Sequence, residues 1–150
     1  MKLGIFTKPI HIEKIVNFLN QHTKILDYVI STERKETEAY DFDIGISYCF
    51  PYIIDVEKSG KPWYNYHPAP LPEYKGLLCY ALPIKDKVEE FAVTLHRMTN
   101  EVDSGKILQV RKFKLDSQPV HTNELGTIAH YHLFQLFKET IEKIADGEIK

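Results

Sequence analysis

Four short runs rich in β-branched and aromatic residues, Lys2–Thr7, Lys24–Ile30, Phe42–Tyr48 and Pro62–His67, punctuate the opening of the chain, with segments of different character between them. After the first run, Pro9 is placed to open a helix, and Ile12, Ile15, Val16 and Leu19 follow at i, i+3, i+4 and i+7, the spacing of one helix face. Between the second and third runs lie eleven residues, Ser31 to Asp41. Their charged part, Ser31–Glu38, reads as a solvated loop or short helix, and the length is near the minimum for a crossover between parallel strands. Strand alternating with crossover admits few folds, and it predicts a mainly parallel sheet covered by helices. The later half differs. Phe91–Met98 and Ile107–Leu115 read as strands joined by a turn-rich loop, with Gly105 as the residue free to adopt positive φ, and they are expected to add to the sheet antiparallel. Thr122–Asp146 carries Leu125, Ile128, Ala129, His132, Leu133, Leu136, Ile141 and Ile144 at helical period, and Gly147 stands where a C-terminal cap belongs.

The 150 residues, 43% hydrophobic and 27% charged, suit one domain, 1–150, with a single core that buries roughly 70% of its unfolded surface. A net charge of -2 argues against partners bound by broad phosphate neutralisation, so nucleic acid is not expected. No apolar run approaches the ~20 residues of a membrane span, and Met1–Phe6 leads directly into a strand without a signal or transit pattern. A cytoplasmic protein with no membrane partner is the expectation. Cys49 and Cys79, with no CxxC spacing, read as reduced thiols. No metal site is expected: His130 and His132, two apart on a helix, diverge, and His11, His22 and His121 show no ligand-like neighbours.

The chemistry concentrates in Asn65-Tyr66-His67-Pro68-Ala69-Pro70-Leu71-Pro72-Glu73-Tyr74-Lys75-Gly76. Alternation along a strand turns Asn65 and His67 to one face and Tyr66 to the other, and Pro68 keeps His67 extended. A carboxamide and an imidazole thus sit together at the C-terminal end of a parallel strand, where open α/β sheets bind ligands. Taken alone, the same spacing also fits a strand-end histidine with an ordinary hydrogen bond. The second stretch runs Val93-Thr94-Leu95-His96 and on to Asp103-Ser104-Gly105-Lys106-Ile107. Together the two stretches resemble the folate-dependent formyltransferase family, from about Ile44 to Leu108, and look most like its nucleotide-sugar N-formyltransferase branch, with a shortened N-terminal half.

The resemblance implies a Rossmann-like α/β formyltransferase fold and 10-formyltetrahydrofolate as co-substrate, with no metal. It implies Asn65, His67 and Asp103 as the catalytic trio. Folate contacts would come from Tyr48, Cys49, Phe50, Tyr52 and Ile53, whose backbone the pterin would lie against, and from Val102, Asp103 and Gly105, with substrate contacts from Lys75, Gly76 and His96, the last also readable as a structural histidine. The Leu71-Pro72 bond matches one that is cis in relatives. In chemical terms, Asn65 and a protonated His67 would donate to the oxyanion formed when an amine attacks the formyl carbon. Asp103 would orient His67, favour its cation and receive the amine proton.

The acceptor follows by elimination. Thr7-Lys8-Pro9-Ile10-His11 lacks the glycine-rich phosphate cradle of glycinamide ribonucleotide formyltransferases, and nothing beyond the last helix suggests a tRNA-binding domain. A small primary amine, an amino sugar on a nucleotide carrier, is the expected substrate. A formyltetrahydrofolate hydrolase and a non-catalytic folate- or partner-binding remnant stay open as alternatives, as does a homodimer.

Overall fold

The computed structural model describes residues 1–21, 27–119 and 121–150. Its elements run β1 (Lys2–Thr7), α1 (Pro9–Gln21), β2 (Asp27–Ser31), α2 (Glu36–Ala39), β3 (Ile44–Tyr48), α3 (Val56–Ser59) and β4 (Trp63–His67), then a single 3₁₀ turn (Gly76–Leu78), α4 (Ala81–Asp86), β5 (Glu90–Arg97), β6 (Ile107–Lys114) and α5 (Thr122–Ala145). One six-stranded sheet has the order β2-β1-β3-β4-β5-β6. The pairs from β2 to β4 are parallel, whereas β5 and β6 join antiparallel. This is the mixed α/β architecture that the alternation of runs predicts.

The period-2 pattern gives the sheet two unlike faces. Leu3 and Ile5 of β1, Ile44, Ile46 and Tyr48 of β3, and Tyr64 and Tyr66 of β4 share one apolar cluster with Ile15 and Leu19 of α1 and with the buried stripe of α5. Phe6, Phe42, Ile54 and Trp63 form a smaller cluster on the opposite face, with Val56 of α3 at its margin. One face therefore has a full helical layer, and the other a thin aromatic cover that leaves room for a cleft.

Helix α5 buries Leu125, Ala129, Leu133, Leu136, Ile141 and Ile144 at helical spacing. Its C-terminus closes with Glu148 N–H to Lys143 O and Gly147 N–H to Ile144 O, with Gly147 at φ 74, the paired bonds of a Schellman cap. Within the core, Thr140 Oγ1 donates to Leu136 O at 2.6 Å, so the Tyr66 hydroxyl must donate to Thr140 Oγ1 at 2.8 Å. Thr140→Val should therefore leave a buried hydroxyl unsatisfied and lower stability by about 2 kcal/mol. Urea denaturation should show most of that loss recovered by adding Tyr66→Phe, which removes the orphaned group.

Several sequence expectations need correction. β3 begins at Ile44 because Phe42 turns under the sheet, packing at 5.5 Å from Trp63, and β4 begins at Trp63. Lys24–Leu26, expected to start β2, and His22 lie outside the described residues. Ile128 is exposed, while His132 stacks on Phe113 at 3.8 Å between ring centroids. Gly105 does not take positive φ; that conformation falls to Asp103, at φ 51. Gly105 is required for another reason: a Cβ there would lie 1.5 Å from the carbonyl oxygen of Arg97. Helices α3 and α4 have too few residues to show a period, and sequence reading missed both.

Candidate active site

Strand β4 sits inside the sheet, and its alternation turns Trp63, Asn65 and His67 toward the thinly covered face. Across the β4–β5 pair, Asn65 lies opposite His96 and His67 opposite Thr94. Asp103 arrives from the loop between β5 and β6. That loop is closed by Arg97 N–H to Lys106 O at 2.8 Å and tied to β4 by Met98 N–H to Trp63 O at 2.8 Å. With positive φ for a side-chain-bearing residue, the Asp103 backbone is strained by about 1–2 kcal/mol, and the surrounding contacts hold it.

Asp103 is the hub of the site. Its Oδ2 lies 3.5 Å from His67 Nδ1, its Oδ1 3.5 Å from His96 Nε2, and the Gly76 N–H donates to Oδ2 at 2.8 Å. The Asn65 amide donates to Asp103 Oδ1 at 3.3 Å and faces His96 Nε2 at 3.0 Å, an orientation fixed by the carboxylate, which can only accept. His96 Nδ1 donates to Arg97 O at 2.9 Å. His67 Nε2 donates to Tyr74 O at 2.7 Å, so the loop holding the Leu71-Pro72 cis bond also holds the imidazole.

Burial would raise the Asp103 carboxyl, but His96, His67 and the Gly76 amide outweigh it and hold the group below the ordinary carboxylate range. Burial is also the largest influence on His67, and it keeps the imidazole below its ordinary value although Asp103 and the Tyr74 carbonyl pull the other way. Burial thus works against the cationic His67 that the sequence suggests, while Tyr74 O at Nε2 and the Asp103 carboxylate at Nδ1 offer each ring nitrogen an acceptor.

The trio opens on a cleft of about 510 Å³ at the C-terminal ends of β3 and β4. Cys49, Phe50, Tyr52 and Ile53 line one part of it, and Gly76, His96, Val102 and Asp103 another. Three expected contact residues lie elsewhere. The Tyr48 side chain is fully buried on the helix-covered face, because alternation sends it the same way as Ile44 and Ile46, which leaves only its backbone to meet a ligand. Gly105 sits behind the loop against Arg97, and Lys75 turns aside to donate to Ser104 Oγ at 2.9 Å. His96 proves both buried and in contact with the site.

Sequence reading missed Lys8, Leu77, Tyr80 and His130 in the cleft wall. The pair Leu77-Leu78, 99% and 59% exposed, was the available signal, since two leucines beside the Asn-x-His motif and outside any periodic segment lack a core role. His11 also needs correction. It is buried and stacks on His130 at 5.1 Å, a contact between residues far apart in sequence that helical spacing cannot reveal. His130 and His132 do diverge, as expected: His132 faces Phe113 and Arg111 instead.

A carboxamide, an imidazole and a carboxylate thus converge at the strand ends of an open α/β sheet, an arrangement chemically able to donate to a developing oxyanion and to carry a proton. The chain belongs to the formyl transferase family, whose profile matches residues 53–127. The chain is 32% identical over 101 residues to the methionyl-tRNA formyltransferase of Thermotoga neapolitana, a match covering 65% of this chain and 30% of that protein. Against the phosphoribosylglycinamide formyltransferase of Escherichia coli it is 30% identical over 89 residues, covering 57% of this chain and 40% of that one. The chain thus spans well under half the length of these curated relatives. Among solved structures, the formyltransferase PseJ from Anoxybacillus kamchatkensis, in complex with UDP-4,6-dideoxy-4-formamido-L-AltNAc and tetrahydrofolate, superposes with a TM-score of 0.81 at 21% identity, covering all of this chain and 79% of that one. That likeness is one of fold. Among the described residues, no helix is long and apolar enough to cross a membrane.

Proposed function

We propose that this chain transfers the formyl group of 10-formyltetrahydrofolate to a primary amine, with Asn65, His67 and Asp103 as the catalytic trio. The observation that carries the reading is the convergence of these side chains, two from β4 and one from a distant loop, on a single cleft. The cleft suits a flat reduced pterin. Phe50, Tyr52 and Ile53 supply apolar wall beside the polar trio, and Ile53, Leu77 and Val102 are solvent-exposed apolar groups at its rim.

The folate supplies an activated formyl carbon. Asn65 turns one amide N–H from its intramolecular partner to the oxygen that becomes negative when the amine attacks. Neutral His67, paired with Asp103, takes the proton released as the new C–N bond forms. The same pair returns that proton to the departing folate nitrogen as the old C–N bond breaks. For the acceptor, the reading favours an amino sugar on a nucleoside diphosphate. The PseJ complex supports it through a shared fold, and so does the mildly acidic chain, which has little to offer a tRNA. The free thiols of Cys49 and Cys79 suit a cytoplasmic setting.

Calorimetry with tetrahydrofolate, beside formyl release measured with and without a panel of nucleotide-linked amino sugars, tests the reading. Folate binding with amine-dependent release is expected. Release independent of amine would make the chain a hydrolase, and folate binding without release would make it a binding protein.

The acid limb of activity gives a sharper check. With neutral His67 as the proton carrier and its pKa held below 6.5 by burial, kcat/KM should be level near neutrality and fall only below pH 6.5. Asp103→Asn removes a charge that raises that pKa, so any residual activity should lose its acid limb at still lower pH. A rate that climbs on acidification would show the cation to be the active form.

A further inference from the structure

His11, Cys49 and His130 come from three separate elements, the first turn of α1, the end of β3 and the middle of α5, and no bond-making or proton-transfer step of the proposed reaction uses them. Each offers one ligand atom, and these atoms lie within 4.8 Å of one another. Cys49 Sγ is already 3.9 Å from His130 Nδ1. We propose that these three side chains bind a zinc ion, with the fourth coordination position facing the cleft that Cys49 and His130 line.

Two imidazoles and a thiolate are the ligand set of a borderline-soft cation, and three protein ligands with one open position are the pattern of reactive rather than purely structural zinc. Tetrahedral bonds of about 2.0–2.3 Å require ligand atoms about 3.3–3.6 Å apart, so the cluster needs to tighten by roughly 1 Å, within the reach of side-chain rotation. The surroundings prepare His130. Its Nε2 is 3.0 Å from the Tyr80 hydroxyl, and donation to that oxygen leaves the Nδ1 lone pair turned toward Cys49, the outer-shell arrangement that orients a ligating histidine. Cys49 adopts φ 52, a strained backbone for a cysteine, at the end of its strand.

Burial holds the Cys49 thiol up at about 12, so binding must break its S–H bond, form the zinc–sulfur bond and release that proton to solvent. Lys14 opposes the cation electrostatically, although its ammonium is engaged 5.1 Å from the Phe134 ring and 5.4 Å from that of Tyr48.

Metal-stripped protein titrated with Zn²⁺ in a calorimeter, and with Co²⁺ in a spectrophotometer, decides the matter without reference to enzymatic activity. One Zn²⁺ per chain is expected, together with a near-ultraviolet thiolate-to-cobalt band. Cys49→Ser should remove that band and weaken Zn²⁺ by at least about 100-fold, whereas Cys79→Ser should retain both. Tyr80→Phe should weaken binding about 10-fold, and Lys14→Met should tighten it. Circular dichroism of each variant separates lost binding from lost folding, and His130→Gln serves as a second ligand variant if Cys49→Ser misfolds. Absence of saturable binding in the parent protein, or a cobalt band that survives Cys49→Ser, would overturn the proposal. Because these residues lie outside the catalytic trio, either result leaves the formyltransferase reading to its own test.

Discussion

Asp103→Asn is expected to slow single-turnover formyl transfer by upwards of roughly 10³-fold at saturating folate, with tetrahydrofolate binding nearly unchanged. The substitution keeps the size of the side chain but removes the charge that His67, His96 and the Gly76 N–H surround. The Gly76 N–H holds an oxygen at the Oδ2 place, so the new amide NH2 takes the Oδ1 place, where Asn65 loses its acceptor, and His67 loses the anion that supports its protonated form. Asn65→Ala removes one oxyanion donor and should cost less, about 10²–10³-fold. Coupling is the decisive comparison. If His67 and Asp103 work as one proton carrier, His67→Ala combined with Asp103→Asn should be little worse than the poorer single variant. Fully additive losses would mean independent action, and the paired mechanism would have to be abandoned.

Gly105→Ala is expected to destabilise the fold by about 3 kcal/mol, the upper end for overpacking. It should also reduce transfer to a level near that of the Asp103 variant. The new methyl group would meet backbone, the Arg97 carbonyl at 1.5 Å, and backbone at a strand end cannot swing aside as a side-chain tip can. The loop must then part from β5, breaking the Arg97–Lys106 hydrogen bond and carrying Asp103 away from His67. Ser104→Ala, one residue earlier, is the control and should change stability by less than about 0.5 kcal/mol. Denaturation of both variants checks the expectation, and a Gly105→Ala protein as stable as its parent would contradict it.

Much of this arrangement was legible in the sequence because it depends on local period. The helical spacing of Leu125, Ala129, Leu133 and Leu136 foretold the longest helix, and period-2 alternation placed Asn65 and His67 on one face of their strand. The same alternation could have turned Tyr48 away from the cleft, since it shares parity with Ile44 and Ile46. What stayed hidden depends on contacts between distant residues. Gly105 looked like a positive-φ glycine because turn chemistry is local, whereas its real constraint, the Arg97 carbonyl, exists only after β5 and β6 pair. The protonation of His67 is set by how deeply the folded chain buries it, and a motif carries no record of burial. The meeting of His11 with His130 needs α1 and α5 to lie side by side, which Phe18 and Phe137 arrange through ring packing.

The Asn65–His96 rung joins β4 to β5 where the sheet changes from parallel to antiparallel. Its spacing is set by the backbone ladder, which no neighbouring loop can stretch. The groups at the far side of the cleft, Lys8, Cys49 and the Phe50–Ile53 segment, instead hang from the ends of β1 and β3. Under the proposed reading, the machinery that handles the formyl carbon and the wall that holds the pterin therefore hang from different strands. Such a layout is evolvable in a definite sense: the loop tips after β1 and β3 can be rewritten around the folate while the groups that act on the formyl carbon are inherited unchanged.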